Sequence, residues 1–410
     1  MALAQAPEAP EDPLTRDVEA LWTRIATLRN VDTLNRPSAV RAPEEARRAV
    51  AEIRAATWLD SARLEARGRA WSDLGLGTER SPERWLRAVA EDLGGAAWEP
   101  GAGRLLVDPE TLTESDYTAD GEETAAIALL MATGVRPDEP VLAHLMVHRL
   151  QGEDLEGAET TDAFLARHAA REGEATLVAT LLLLESIGVE VGEVDLDPTA
   201  MLDGRLAPSG ASSPLEIRML DFVHTDGYLW ARRRYLAAGW KPWPAALTTG
   251  AILSDAATSV PADVAVPAPP TGWEATDVDR LGAWGVYLWI AATTGKDSLA
   301  LLSSEGWEGG RLERLERAGG PGATRWTTRW VTAERAEQFR YAIERVLVAR
   351  FPSAVSSGEA PGWRRRAAGD RLAAWERRDR TVTLWIGPPE ATAGFVPDPP
   401  SEAVESGGDL

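Results

Sequence analysis

The stretch Val141-Leu-Ala-His-Leu-Met-Val-His-Arg-Leu-Gln151 carries two of the four histidines of the chain, His144 and His148. Its apolar residues recur at helical spacing, so it predicts a helix. Residues four apart on a helix share one face, one turn from each other, and a single metal ion can therefore take two ligands from one rigid element. The stretch thus predicts one half of a metal site.

A second predicted helix, from Thr161 to Ile187, holds His168 and Glu172 on one face. A carboxylate on a second helix is the usual third ligand when two histidines come from the first. The residues therefore predict a metal site at His144, His148 and Glu172.

The same residues leave two other interpretations open. The two histidines of the first helix could pack a helix crossing, with Glu172 paired to Arg167 or Arg171. Alternatively, His168 and His224 could join the first two histidines in a closed four-ligand site, which would make the metal structural.

The stretch from His144 to Gln151 resembles the His-Glu-x-x-His-Ala-Leu-Gln helix of a zincin-like, gluzincin-type metallopeptidase family of bacteria and archaea. The segment Glu172-Gly-Glu-Ala175 resembles the Glu-Gly-Asp-Ala motif of that family. Weaker similarity covers most of the chain, as in Phe222-Val-His-Thr-Asp-Gly227, which is similar to Phe-Pro-Tyr-x-x-Gly. The resemblance implies a zincin-like central lobe in which His144, His148 and Glu172 are zinc ligands.

The departures from the family motifs concern chemistry. Leu145 occupies the position of the glutamate that takes a proton from metal-bound water, and a leucine cannot do this. By the same alignment, Gly250, Ser254 and Ala283 stand where the family has Glu, His and Glu. We therefore expect a catalytically inactive, metallopeptidase-like binding or scaffold protein, a pseudo-enzyme whose partner is an unidentified protein or peptide.

Two alternatives to the pseudo-enzyme remain. The chain could be a metal-dependent hydrolase in which Glu172, Glu174 or Asp226 supplies the missing base, or a structural or assembly protein without a ligand site. Because polar groups that would orient the ligands are lost at several motifs, we expect zinc to bind weakly or not at all.

Composition narrows the class of protein. A formal net charge of -21 on 410 residues predicts an acidic surface that repels nucleic acid. With no cysteine in the chain, disulfides and thiolate sites are excluded. No apolar run reaches the ~18 residues of a membrane span, so we expect a soluble protein. The small residues of the start, Met-Ala-Leu-Ala-Gln-Ala, resemble the end of a signal peptide and predict a mature exported (periplasmic or extracellular) protein carrying an added Met1, with a cytoplasmic protein as the alternative.

The patterns along the chain predict an α+β fold, mainly helical, with a zincin-like central lobe and flanking β-strands. Proline-, alanine- and glutamate-rich ends predict disordered tails. The expected parts are a tail at 1–16, an N-terminal helical region with a β-hairpin at 17–110, the central lobe at 111–258, a Pro-rich linker at 259–272, a C-terminal α+β region at 273–387 and a tail at 388–410.

Overall fold

The fold was taken from a computed structural model of the chain. It describes residues 13–32, 36–56, 61–78, 82, 84, 96–108, 139–151, 160–190, 192, 214–244, 246–254, 261–262, 264–269, 271–351, 355–360, 363–368 and 370–392. These residues form an α+β structure that is mainly helical, as the sequence predicts. None of the helices in this part of the chain has the length and hydrophobicity that a membrane span requires.

The helices of the described residues are α1 (Pro13–Arg29), α2 (Glu44–Ala56), α3 (Ser61–Leu74), α4 (Glu139–Gln151), α5 (Thr161–Ser186), α6 (Pro214–Asp221), α7 (Gly227–Ala238), α8 (Thr249–Leu253), α9 (Gly282–Thr294), α10 (Asp297–Ser304), α11 (Ala333–Arg350) and α12 (Pro389–Thr392). The strands are β1 (Ser38–Arg41), β2 (Ala96–Glu99), β3 (Arg104–Val107), β4 (Glu274–Asp279), β5 (Trp307–Glu316), β6 (Ala323–Trp330), β7 (Val355–Ala360), β8 (Trp363–Ala368), β9 (Arg371–Arg378) and β10 (Thr381–Gly387).

The described strands form two sheets. A small sheet has the order β1-β3-β2, with β1 parallel and β2 antiparallel to β3. The larger sheet has seven strands in the order β4-β5-β6-β10-β9-β8-β7, and its neighbours pair antiparallel. On the larger sheet, Trp326 of β6 packs against Trp289 of α9 and Phe339 of α11. These two helices therefore cover one sheet with an aromatic core.

The long helix α5 is the central element of the helical part. Its first turn is capped by Thr160, whose side chain accepts a hydrogen bond from the backbone N–H of Ala163. Apolar residues of α5 lie in two hydrophobic clusters, one shared with α1 and α4 and the other with α7, α9 and α11. A helix that is buried nearly all round can present polar residues only to other parts of the protein interior.

A close backbone contact joins α5 to the chain before α7. Residues Phe222–Asp226 wind as a π-helical turn that continues directly into α7. A Cβ placed on Gly173 would lie 2.0 Å from the carbonyl oxygen of Gly227, and one placed on Gly227 would lie 2.2 Å from the carbonyl oxygen of Ala169. Only glycine fits at either position, so these two glycines let the two backbones touch.

Buried ion pairs connect the larger sheet to the helices that precede it in sequence. Arg67 of α3 donates to Asp277 of β4 with nitrogen–oxygen distances of 2.9 and 3.2 Å. Asp73 of α3 accepts a 2.7 Å hydrogen bond from Arg314 of β5 and another of 2.7 Å from Thr324 of β6. The sheet therefore shares its polar interior with α3.

The start of α5 is tied to the same region. Asp162 accepts hydrogen bonds from Thr249 and from Arg280, at 2.7 and 3.1 Å. Burial raises the pKa of Asp162, although both partners oppose that shift. The Cβ position of Gly282 would lie 2.0 Å from an oxygen of Asp162, so the first residue of α9 also approaches this carboxylate at a glycine.

Several predicted boundaries are corrected by the structure. The N-terminal tail was predicted to extend to residue 16, but α1 begins at Pro13 and Leu14 is buried. The C-terminal tail was predicted from 388, but α12 follows the last strand and Ala391 is buried. In both places a few apolar side chains are buried in the core, and the overall composition of the segment does not indicate this.

The Pro-rich segment 259–272, predicted to be a linker, forms neither helix nor strand where it is described, with a turn at 271–272, and it is docked rather than free. Its Ala262 donates a backbone hydrogen bond of 2.8 Å to Glu308, and Val264 is buried. The carbonyl oxygen of Pro267 accepts a 2.9 Å hydrogen bond from Arg325. The segment is therefore a strap held against β5 and β6. The stretch 122–132, where the apolar spacing also predicts a helix, lies outside the described residues.

Candidate metal centre

The structure brings His144, His148 and Glu172 together. His144 Nε2 lies 2.8 Å from Glu172 Oε2 and 3.1 Å from His148 Nε2, while His148 Nε2 lies 3.4 Å from Glu172 Oε1. The three side chains are buried, with exposed fractions of 3%, 1% and 6%. The helical spacing thus places the two histidines on one face of α4, next to Glu172, as the sequence predicted.

The donor set fits a zinc ion. Zinc bonds of about 2.0–2.2 Å in a tetrahedral arrangement place neighbouring ligand atoms about 3.3 Å apart. His144 Nε2 and His148 Nε2 lie 3.1 Å apart, and they lie 2.8 and 3.4 Å from different oxygens of Glu172, Oε2 and Oε1, so these distances are close to that separation. Two imidazole nitrogens and a carboxylate oxygen are also the ligand types that zinc takes in proteins without thiolates. His144, His148 and Glu172 would therefore hold the ion.

Outer hydrogen bonds orient both imidazoles. His148 Nδ1 donates to Gln151 Oε1 over 2.9 Å, which leaves Nε2 to face Glu172. His144 Nδ1 lies 3.4 Å from Thr176 Oγ1. Such partners fix the tautomer and the ring plane of a ligating histidine. The expectation of weak zinc binding assumed that orienting groups had been lost, and the structure supplies two of them.

The histidines control the charge of Glu172. Burial alone would raise the pKa of this carboxyl, but the charge of His148 and the hydrogen bonds from His144 and His148 hold the pKa of Glu172 well below its usual range. Glu172 is therefore an anion in the interior, as a metal-ligating carboxylate must be.

The other two histidines lie beside the same carboxylate. His168 Nε2 is 3.7 Å from Glu172 Oε1, and His224 Nδ1 is 4.0 Å from Glu172 Oε2. All four histidines of the chain therefore approach Glu172 within 4.0 Å. Among the described residues, only His144, His148 and Glu172 have ligand atoms that all lie within 4.8 Å of one another, so the closed four-ligand site stays a prediction.

Glu174 and Asp226, the other carboxylates singled out from the sequence, have different surroundings. Glu174 is paired with Arg29 and accepts a 3.0 Å hydrogen bond from Gln151, so it supports the outer shell of His148. Burial raises the pKa of Asp226 to about 6, against the opposing charge of Arg233. Glu174 therefore makes structural contacts. The pKa of Asp226 is raised mainly by burial, with smaller effects from the charges of Arg233 and Asp221.

Leu145 lies in the hydrophobic cluster that α4 forms with α1, β3 and α5, and it is fully buried. The same cluster includes Leu14 of α1 and Val178 of α5. The side chain that replaces the expected base therefore contributes apolar packing, and it offers no proton acceptor.

Two of the positions at which the sequence departs from the resembled motifs lie near the first turn of α5. Gly250 follows Thr249, which contacts Asp162, and Ala283 follows Gly282, which approaches the same carboxylate. Asp162 precedes Glu172 by ten residues, so the two are about 15 Å apart along the helix axis. Gly250 and Ala283 therefore lie near the start of α5 and not next to His144 and His148. Ser254 ends α8 and is exposed.

Sequence reasoning assigned no role to Gln151 or Thr176. A signal was present, because Gln151 follows His148 by three residues and Thr176 follows Glu172 by four, and such spacings share a helix face. The role of Arg29 had no comparable signal, since it comes from α1 and reaches Glu174 across 145 residues.

Comparison with known proteins adds one finding. Residues 271–396 match a family model described as a domain of unknown function (DUF8575). No match is found among curated proteins or among solved structures. The matched segment begins just before β4 and includes the larger sheet, whereas the histidine cluster lies before it in the chain.

Proposed function

We propose that this protein is a zincin-like, metallopeptidase-derived binding or scaffold protein that binds zinc at His144, His148 and Glu172 and has no peptidase activity. The observation that carries the proposal is the convergence of three ligand atoms from two buried helices at separations suited to one ion. A buried, oriented ligand set supports a metal that stabilises the fold. The partner of the protein would be an unidentified protein or peptide.

The absence of a base at Leu145 supports the lack of peptidase activity. In the resembled family, the residue after the first histidine moves a proton from water to the leaving group. General acid–base catalysis of this kind contributes about 10²–10⁴-fold, and an apolar side chain forfeits it. Burial of all three ligands also leaves little exposed surface for a polypeptide substrate.

The metal is tested by measuring zinc content and affinity in the full chain. Wild-type protein should bind one zinc ion per chain. Loss of a residue that only orients a ligand weakens metal binding by about 10–100-fold, and Glu172→Gln should weaken zinc binding by more than that. The matched control is Glu185→Gln, the same change on the same helix at an exposed side chain paired with Arg24. Equal zinc affinity in wild type and Glu172→Gln would exclude this ligand set.

Activity is tested on casein and on peptide libraries with zinc present. We expect no cleavage that depends on zinc and stops with a chelator. Cleavage abolished by His148→Ala would favour the alternative of a hydrolase with a different base. A chain that takes up no zinc would favour the alternative of a structural or assembly protein without a ligand site.

A further inference from the structure

His224 occupies a position from which it can complete the metal centre. It lies in the middle of the π-helical turn at Phe222–Asp226, with 13% of its side chain exposed. Its Nδ1 is 4.0 Å from Glu172 Oε2, the oxygen that lies 2.8 Å from His144 Nε2. Single π-helical turns often mark functional sites, because the extra residue re-aims a side chain.

The backbone holds this turn against Glu172. Gly173 is the residue after Glu172, and Gly227 is the residue after the π-helical turn. Because these two glycines touch through their backbones, the turn cannot move away from the carboxylate without breaking the contact. The imidazole of His224 thus approaches from a separate element that is fixed in place beside the site.

His168 is less suited to the same role. Its imidazole is stacked on Phe164, with ring centroids 5.8 Å apart and an interplanar angle of 20°. Rotation toward a metal would sacrifice that packing. The stacked ring of His168 therefore forms a wall of the site.

We propose that His224 Nδ1 is the fourth ligand of the zinc site, so that the coordination shell of the ion is closed by three imidazoles and one carboxylate. This inference rests on the proposed zinc binding at the other three residues. Ligand atoms of a tetrahedral zinc site lie about 3.3 Å apart. Since His224 lies outside the three residues whose ligand atoms are all within 4.8 Å of one another, its imidazole must turn toward both histidines as well as shorten the 4.0 Å separation from Glu172 Oε2. A closed shell makes the metal structural and leaves no position for water.

The test uses cobalt(II) in the full-length chain as a spectroscopic substitute for zinc, with azide as a probe of an open coordination position. The visible spectrum of the wild-type cobalt protein should not change when azide is added. His224→Ala should bind cobalt more weakly by a factor above the about 10–100-fold of an outer-shell loss, and its spectrum should respond to azide. His168→Ala is the matched control and should stay within that range without an azide response.

Each result decides between defined alternatives. An azide-induced change in the wild-type spectrum would show an open site and overturn the closed shell while leaving the three-ligand site intact. A loss of affinity in His168→Ala that exceeds the loss in His224→Ala would overturn the choice of ligand. Failure of the wild type to take up either cobalt or zinc would refute the proposed zinc binding itself, and the closed shell with it. The wild-type azide experiment does not depend on the folding of any variant.

Discussion

Replacement of Gly173 by alanine tests the backbone contact that positions the turn carrying His224. The added Cβ would lie 2.0 Å from the carbonyl oxygen and 2.1 Å from the carbonyl carbon of Gly227. An ordinary contact requires roughly 3.5 Å. Because both obstructing atoms belong to backbone, no side chain can rotate away, and α5 and α7 must separate.

The expected magnitude is a balance of two effects. Alanine is favoured over glycine in a helix by about 1 kcal/mol. Overpacking of an interior costs about 1–3 kcal/mol, occasionally more, and a backbone clash belongs at the upper end. Gly173→Ala should therefore lower the free energy of unfolding by about 2 kcal/mol, in spite of its better helix propensity.

The measurement is urea denaturation of the metal-free protein, followed by zinc titration. Gly188→Ala provides a comparison, because Gly188 has a left-handed backbone conformation (φ 70°) and open space around its Cβ position, whereas Gly173 is helical and obstructed. Its strain should cost about 1 kcal/mol and leave zinc affinity unchanged. Gly173→Ala should reduce zinc affinity as well. A variant of Gly173 that is as stable as wild type would refute the backbone contact.

Three further predictions concern single side chains. Leu145→Glu should lower the free energy of unfolding by about 3–5 kcal/mol in urea titrations, because it places a carboxylate in an apolar cluster. It should also leave casein uncleaved. The control variant Leu145→Met should lower the free energy of unfolding by less than about 1.5 kcal/mol. Burial raises the pKa of Glu376 above its ordinary value of 4.5, so the folded state binds the proton more tightly than the unfolded state and its stability falls as the pH rises from about 4.5 through the folded pKa. Glu376→Gln should therefore gain stability relative to wild type between pH 4 and pH 7 in parallel denaturations. A difference in stability that stays constant with pH would contradict the shift. Arg67→Ala should cost about 3–5 kcal/mol because it removes the 2.9 and 3.2 Å hydrogen bonds to buried Asp277 and leaves this carboxylate with the longer 3.4 Å contact from Arg63. Arg48→Ala at an exposed pair should change the unfolding free energy by less than about 0.5 kcal/mol, and similar losses for both variants would argue against the buried pair.

The elements that the sequence predicted well have strong local periodicity. The helices at 139–151 and 161–186 follow from the spacing of apolar residues, and the β-hairpin predicted in the N-terminal region is formed by β2 and β3. The strands β4, β5 and β6 were missed. These strands carry buried charges such as Glu313 and Arg325, which pair with each other across the sheet and interrupt the apolar alternation.

Prediction of the candidate site was limited by distance along the chain. Helical spacing relates His144 to His148 and His168 to Glu172, so each pair could be predicted locally. The approach of His224 depends on a contact between Gly173 and Gly227, residues whose proximity no periodicity encodes. The surroundings of Glu174 likewise depend on Arg29, which lies on a helix remote in sequence.

The ion pairs between α3 and the larger sheet bear on how the chain can be divided for experiments. The segment that matches the family model, 271–396, contains Asp277 and Arg314, whose buried partners Arg67 and Asp73 precede it by about two hundred residues of chain. Expressed alone, the segment would expose the apolar surface that α3 covers and would leave charges in its interior unpaired. A boundary of sequence similarity is therefore not a boundary of cooperative unfolding here, and amide hydrogen exchange should protect α3 and β5 together.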